Sequence, residues 1–133
     1  MKNNVTVITF GTFDVFHVGH INILERAKNY GNSLIVGVSS DNLNFTKKNR
    51  YPIYDENSRL KIISSLKCVD SVFLEESLEL KLHYIEKYNA DILVMGDDWT
   101  GKFDWANQYC DVIYLPRTPS ISTTEIIEVA KSR

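Results

Sequence analysis

Two segments of the chain hold residue types that can act on phosphate. The first is Gly11-Thr12-Phe13-Asp14-Val15-Phe16-His17-Val18-Gly19-His20. It sets two imidazoles three residues apart at what reads as a helix start, so that they share one face. Gly19 between them removes a side chain and lets a phosphate approach the backbone. The helix N-terminus adds N–H donors and the positive end of a dipole. The second segment, Arg117-Thr118-Pro119-Ser120-Ile121-Ser122-Thr123-Thr124, joins a guanidinium, a row of hydroxyls and another helix start. That set suits a di- or triphosphate tail. Simpler roles exist for both segments: one histidine caps its helix while the other packs, and Ser122 caps the last helix. Capping accounts for Ser122 and Glu125, but not for Arg117 or the hydroxyl row. The first segment is neither the dinucleotide fingerprint nor a P-loop. A zinc site lacks its third ligand, because the remaining histidine is His83, and Cys68 and Cys110 stand in no metal spacing.

Such residues need elements to hold them. Val5–Phe10, Leu34–Ser39, Ser71–Leu74, Ile92–Met95 and Val112–Leu115 are short Val- and Ile-rich runs, the length of buried strands. Between them lie helical stripes: Ile21, Leu24, Ala27 and Lys28 with Gly31 as a stop; Leu60, Ile63 and Leu66 or Lys67 after the acidic start Asp55-Glu56; and Leu78, Leu82, Ile85 and Tyr88. The last helix opens with the capping-box pattern Ser122-Thr123-Thr124-Glu125 and turns Ile126, Ile127 and Ala130 inward. Strand and helix alternate, which predicts an α/β fold: one domain over residues 1–133 with a Rossmann-like, doubly wound, five-stranded parallel sheet. Two stretches are expected as functional loops, Asn42–Tyr54 with Lys47, Lys48 and Arg50, and Gly96–Gln108 with Asp97, Asp98, Trp99, Lys102 and Trp105.

The chain has 133 residues, and its 44% hydrophobic and 24% charged residues are globular proportions. A net charge of -2 argues against a nucleic-acid footprint. No apolar run is long enough for a membrane span, and the first one is too short for a signal-peptide core. Two cysteines outside any CxxC spacing fit reduced thiols, and the expected compartment is the cytoplasm.

Taken together, GTFDVFHVGH and RTPSISTT resemble the marks of the nucleotidylyltransferase superfamily, an HxGH after the first strand and an ISTT-type motif at the last helix. Val94-Met95-Gly96-Asp97-Asp98-Trp99, Gly101-Lys102-Phe103-Asp104 and Tyr114-Leu115-Pro116-Arg117-Thr118-Pro119 narrow the likeness to the cytidylyltransferases, over nearly the whole chain. The resemblance implies transfer of a cytidylyl group from CTP to a small phosphorylated polyol by in-line attack on the α-phosphorus. Glycerol 3-phosphate is the favoured acceptor, with ribitol phosphate or phosphoethanolamine as alternatives. His17, His20, Lys47 or Lys48, and Arg117 are its implied catalytic contacts. The implied nucleotide contacts come from Gly11, Thr12, Phe13, Asp14, Gly19, Thr118, Ser122, Thr123 and Thr124, with Asp98 near the ribose. Arg59, Asp97 and Trp99 are the acceptor candidates. Mg²⁺ is expected on the CTP phosphates, with Asp14 either helping to hold it or pinning its own turn. A homodimer is implied too.

This sequence departs from the family pattern at Ser120, where glycine is common, at Lys67, where relatives carry arginine, and in one extra residue before Arg59. Rival readings are weaker. An adenylyl-transferring relative shares HxGH but not GDDWTGKFD. A class I aminoacyl-tRNA synthetase fragment is at odds with the chain's shortness and acidic balance. A catalytically silent nucleotide-binding module does not need intact histidines, lysines and Arg117.

Overall fold

The structure, a computed structural model, describes residues 4–118 and 122–133; Pro119, Ser120 and Ile121 of the second phosphate segment lie outside them. The elements run β1 (Thr6–Gly11), α1 (Val18–Lys28), β2 (Ser33–Ser39), α2 (Asp41–Lys48), α3 (Glu56–Ser64), β3 (Ser71–Glu75), α4 (Lys81–Lys87), β4 (Ile92–Gly96), β5 (Asp111–Leu115) and α5 (Thr123–Lys131). Short 3₁₀ turns occupy Leu78–Leu80, Asp97–Trp99 and Asp104–Gln108. The strands form one five-stranded sheet of order β3-β2-β1-β4-β5, with every pairing parallel. The expected strands are all present, within a residue or two of their predicted ends.

A parallel sheet is covered on both faces, which is why its strands read as unbroken apolar runs. Successive side chains point to opposite faces. Val7, Val36, Val38 and Val94 accordingly join Leu24, Ala27 and Ile63 under α1 and α3. Ile8, Phe10, Leu93 and Met95 join Tyr84, Ile85, Phe103 and Ala106 on the other face. The chain winds outward from β1 to β3, then returns to lay β4 against β1. The reversal opens a crevice beyond the carboxyl ends of β1 and β4, where ligands bind in open α/β sheets.

Four expectations about the elements change. Asn42–Tyr54 is not simply a loop, because Asp41–Lys48 is helical. Ser40 caps it by accepting from the Leu43 N–H at 3.0 Å, Asp41 sits in the first turn and Lys47 and Lys48 in the last, all favourable to the helix dipole. Its apolar face is only Leu43, helped by the buried Asn44, and this left no stripe to read. The Gly96–Gln108 stretch likewise carries two 3₁₀ turns. In the stripe after β3 the inward positions are Lys81, Tyr84 and Ile85, with Leu78 exposed. On α5, Ile126 and Ile127 are half-buried, but Ala130 is exposed.

Arg59 is the largest departure. Expected at the acceptor, it is instead 0% exposed and absent from the cavity lining. Its Nη1 donates to the carbonyls of Thr12 at 2.9 Å and Ser39 at 2.7 Å, Nε donates to the Tyr54 carbonyl at 2.9 Å, and Nη2 pairs with Asp41 at 2.7 Å. One guanidinium thus joins the ends of β1 and β2 to α2 and to the segment before α3. Replacing Arg59 with Met strips these acceptors of their partner. The change is expected to lower unfolding free energy by about 3–5 kcal/mol, measured by urea melts. A loss below about 1 kcal/mol would show that the loops hold themselves.

Candidate active site

The segment after β1 is held in a strained shape. Phe13 and Val15 have φ of 56° and 46°, a left-handed conformation that costs most for a β-branched residue such as Val15. Contacts on every side fix it. The Phe13 ring folds back over Gly11, where an added Cβ would lie 2.7 Å from a ring carbon. The two carboxylate oxygens of Asp14 accept from the backbone N–H of Ile53 at 2.7 Å and Tyr54 at 2.8 Å. Thr123 Oγ1 donates to the Asp14 carbonyl at 2.7 Å, which ties the start of α5 to the same turn. Thr12 Oγ1 donates to Asn44 Oδ1 at 2.9 Å. The Asp14 carboxylate therefore pins the segment at Ile53 and Tyr54, where the sequence had offered its own turn.

The sequence offered one histidine as a cap and the other as packing; in the structure both cap. His17 Nδ1 accepts from the Gly19 N–H at 3.0 Å, and His20 Nδ1 accepts from the His17 N–H at 3.1 Å. The two side chains form a reciprocal capping box for α1 and stack with centroids 3.8 Å apart. A ring nitrogen that accepts from an amide carries no proton, so the proton of each neutral ring sits on Nε2. Capping thus leaves two Nε2–H donors, and both rings line the cavity. The Gly19 N–H, in contrast, is spent on the cap. Burial pushes the pKa of His17 down, and burial with the adjacent His17 takes His20 down to about 4. Both rings are neutral donors at physiological pH.

The cavity has a volume of about 910 Å³ and opens at the carboxyl ends of the strands. Its walls hold Gly11, Thr12, Phe13, Asp14, His17, Gly19, His20, Lys47, Lys48, Trp99, Arg117, Thr118, Ser122, Thr123 and Thr124, all of them residues the sequence singled out. Asn22 Nδ2 donates to Thr118 Oγ1 at 2.9 Å and Arg26 Nη1 to the Pro116 carbonyl at 3.2 Å, so α1 anchors the segment after β5 that carries Arg117. Ser122 caps α5 by accepting from the Glu125 N–H at 3.1 Å. Arg117 forms an exposed ion pair with Asp98, a contact weak enough to exchange for phosphate. Asp97 and Asp98 stand outside the cavity wall, while Trp99 is in it, tilted on Phe103 at 5.6 Å.

Lys47 and Lys48 both face the cavity, in different company. Lys48 lies in the field of Asp14, Arg50 and Arg117, and burial lowers its pKa. Lys47 Nζ donates to the buried Ser39 Oγ at 2.9 Å, and burial takes its pKa down to about 8. Beside it is a group that the sequence reading missed. Lys81, 3% exposed, is ion-paired with Glu75, 1% exposed, and both line the cavity. Lys81 Nζ also lies 4.2 Å from the Phe10 ring centroid. One signal was available: Lys81 precedes Tyr84 by three residues and Ile85 by four, and so sits on the buried face of α4.

A parallel sheet whose switch point opens into a cavity lined by neutral histidine donors, hydroxyls and cations has the build of a nucleotide-using transferase. The sequence model described as cytidylyltransferase-like matches residues 8–129, and the chain belongs to that family. It is 49% identical to the glycerol-3-phosphate cytidylyltransferase of Bacillus spizizenii, over 90% of this chain and 92% of that one. Against the Staphylococcus aureus protein of the same name the identity is 44%, over 90% of each. Among solved structures, the lipopolysaccharide core biosynthesis protein of Thermoplasma volcanium superposes with a TM-score of 0.75 at 30% identity, over 86% of this chain and 98% of that one.

The tautomers and their pH dependence are open to measurement. Nitrogen-15 NMR is expected to find both rings protonated at Nε2, with His20 silent on titration until the pH nears 4. The unfolded histidine takes up its proton near pH 6.5 and the folded one only near 4, so stability is full above 6.5 and declines as the pH falls between those values. An Nδ1-protonated ring, or a His20 titration at or above 6.5, would contradict this assignment.

Proposed function

We propose that the chain transfers a cytidylyl group from CTP to glycerol 3-phosphate, giving CDP-glycerol and pyrophosphate. The observation that carries the reading is the pairing, in one cavity, of the His17–His20 donors with a second, separate cationic pair, Lys47 and Lys81. A transferase joining two phosphorylated substrates has to hold both, and the relatives' names supply the acceptor.

In this reading the acceptor's phosphate oxygen, already an anion, attacks the α-phosphorus of CTP. The new P–O bond forms as the bond to the bridging α–β oxygen breaks, and pyrophosphate carries the electron pair away. No general base is needed, so positioning and charge stabilisation supply the catalysis. His17 and His20 donate from Nε2 to the α-phosphate oxygens as their charge grows. Arg117 leaves Asp98 for the departing β- and γ-phosphates, with Lys48, Thr118, Ser122, Thr123 and Thr124 around them. Lys47 and Lys81 hold the acceptor phosphate, the task that sequence reading gave to Arg59, and Trp99 walls the site.

Mg²⁺, when bound, supplies charge neutralisation on the phosphate oxygens. Among the described residues no cluster of three or more His, Cys, Asp or Glu side chains is placed to hold a metal. That donor set fits an ion that keeps its waters and rides on substrate phosphates. Asp14 is the carboxylate beside the histidines that would hold it. No described helix is long and apolar enough to cross a membrane. A cytoplasmic homodimer belongs to the same reading.

Pyrophosphate release from CTP with an acceptor panel tests it. Glycerol 3-phosphate is expected to exceed phosphocholine in kcat/KM by about 100-fold, because a quaternary ammonium leaves buried polar groups unpaired. Replacing either His17 or His20 with Ala is expected to lower kcat by about 10²–10⁴ with little change in CTP affinity. Preference for phosphocholine would overturn the acceptor, and wild-type turnover in either variant would overturn the histidines' role.

A further inference from the structure

Glu75 has no part in the reaction as derived, yet it lies in the cavity wall almost wholly buried. It closes β3, where the sheet's outer edge meets α4. Its Oε2 is paired with Lys81 Nζ, and its Oε1 accepts a long hydrogen bond, 3.5 Å, from Ser39 Oγ. The same hydroxyl accepts from Lys47 Nζ at 2.9 Å. One carboxylate therefore faces two ammonium groups, one directly and one through a fully buried serine.

Left alone, the buried Lys81 and the half-buried Lys47 in one pocket would tend to shed their protons, since burial and mutual repulsion both favour the neutral amine. Long flexible stems would also leave their positions undefined. A carboxylate between them reverses both tendencies. We propose that Glu75 is the positioning residue of the acceptor cradle: it holds Lys81 directly and Lys47 through Ser39, so that both present fixed, charged ammonium groups to the acceptor's phosphate. The inference rests on the cytidylyl-transfer reading for the acceptor's identity. The cradle itself rests on geometry.

Charge follows the same arrangement. The groups acting on Lys47 are Glu75 from β3, Lys81 from α4, Lys48 from its own helix and Arg59 from α3, and of these only Glu75 favours the ammonium form. Its removal leaves burial and three cations acting together. The acceptor's kcat/KM, which needs charged Lys47, then declines at a lower pH than in the wild type, where the decline is expected near pH 8.

Steady-state kinetics on the whole protein decide the matter, with CTP and glycerol 3-phosphate varied separately across pH. Glu75→Gln is expected to raise the acceptor KM about tenfold or more, the effect of losing a charge-assisted bond, with the CTP KM unchanged and the alkaline limb moved to lower pH. Ser39→Ala, which keeps the Glu75–Lys81 pair and so the fold, is expected to raise the acceptor KM about threefold or more, the effect of removing the hydroxyl that holds the Lys47 ammonium. It decides the matter should Glu75→Gln fail to fold. An unchanged acceptor KM in either folded variant would overturn the proposal, as would an equal rise in both KM values. If the wild type makes no CDP-glycerol, the functional reading fails instead. The cradle is then judged by calorimetric titration of inorganic phosphate: weaker binding to Ser39→Ala than to wild type sustains it, and equal affinity overturns it.

Discussion

The active site is made almost wholly of strand ends and the segments that leave them, and such segments have no core of their own. A single buried guanidinium gives them one. Arg59 reaches from α3 to the carbonyls that end β1 and β2, to the segment before its own helix, and to Asp41 at the start of α2. Its five N–H donors in a planar fork serve four fixed acceptors at once, more than the three donors of a lysine could. The left-handed turns at Phe13 and Val15 persist because this contact, the Asp14 carboxylate and the Thr123 hydroxyl leave the chain no other path. Histidine donors and lysines take their places from that frame.

Electrostatics then divide the cavity. The histidines are neutral because they cap a helix in a buried place, so they offer hydrogen atoms without competing with cations for phosphate. Positive charge enters through two groups with different anchors. Arg117 is exposed and paired with Asp98, free to exchange partners as a polyanion arrives. Lys81 is buried and paired with Glu75, an arrangement whose broken form is costly and whose geometry is therefore fixed. An adaptable grip suits a triphosphate tail that leaves as pyrophosphate, and a rigid one suits an acceptor whose oxygen has to point along a line.

What the sequence made legible followed from periodicity. Buried parallel strands read as apolar runs, and all of them were found. The motif residues His17, His20, Ser122 and Thr123 line one cavity with Lys47 and Lys48, the lysines that the family resemblance implied. What stayed hidden were charged residues on buried faces, where type argues for solvent and position argues for core. Arg59 stands four residues before the fully buried Ile63, and Lys81 three before Tyr84, so position was the better guide in both cases. Glu75 ends an edge strand, and nothing local ties it to Lys47, because the two meet only through Ser39 on another strand. Helix α2 escaped for a related reason: its stability comes from its cap and from buried Asn44, not from an apolar stripe.

The two phosphates of CDP-glycerol fall to two separate groups of residues, and a crystal structure with that product tests this directly. The phosphate bonded to cytidine is predicted to accept from His17 and His20 Nε2. The phosphate bonded to glycerol is predicted to lie between Lys47 and Lys81, with Arg59 still bound to its carbonyls. A glycerol-side phosphate held by Arg59 or on the Arg117 side, with the Lys81–Glu75 pair remote from the ligand, would contradict it.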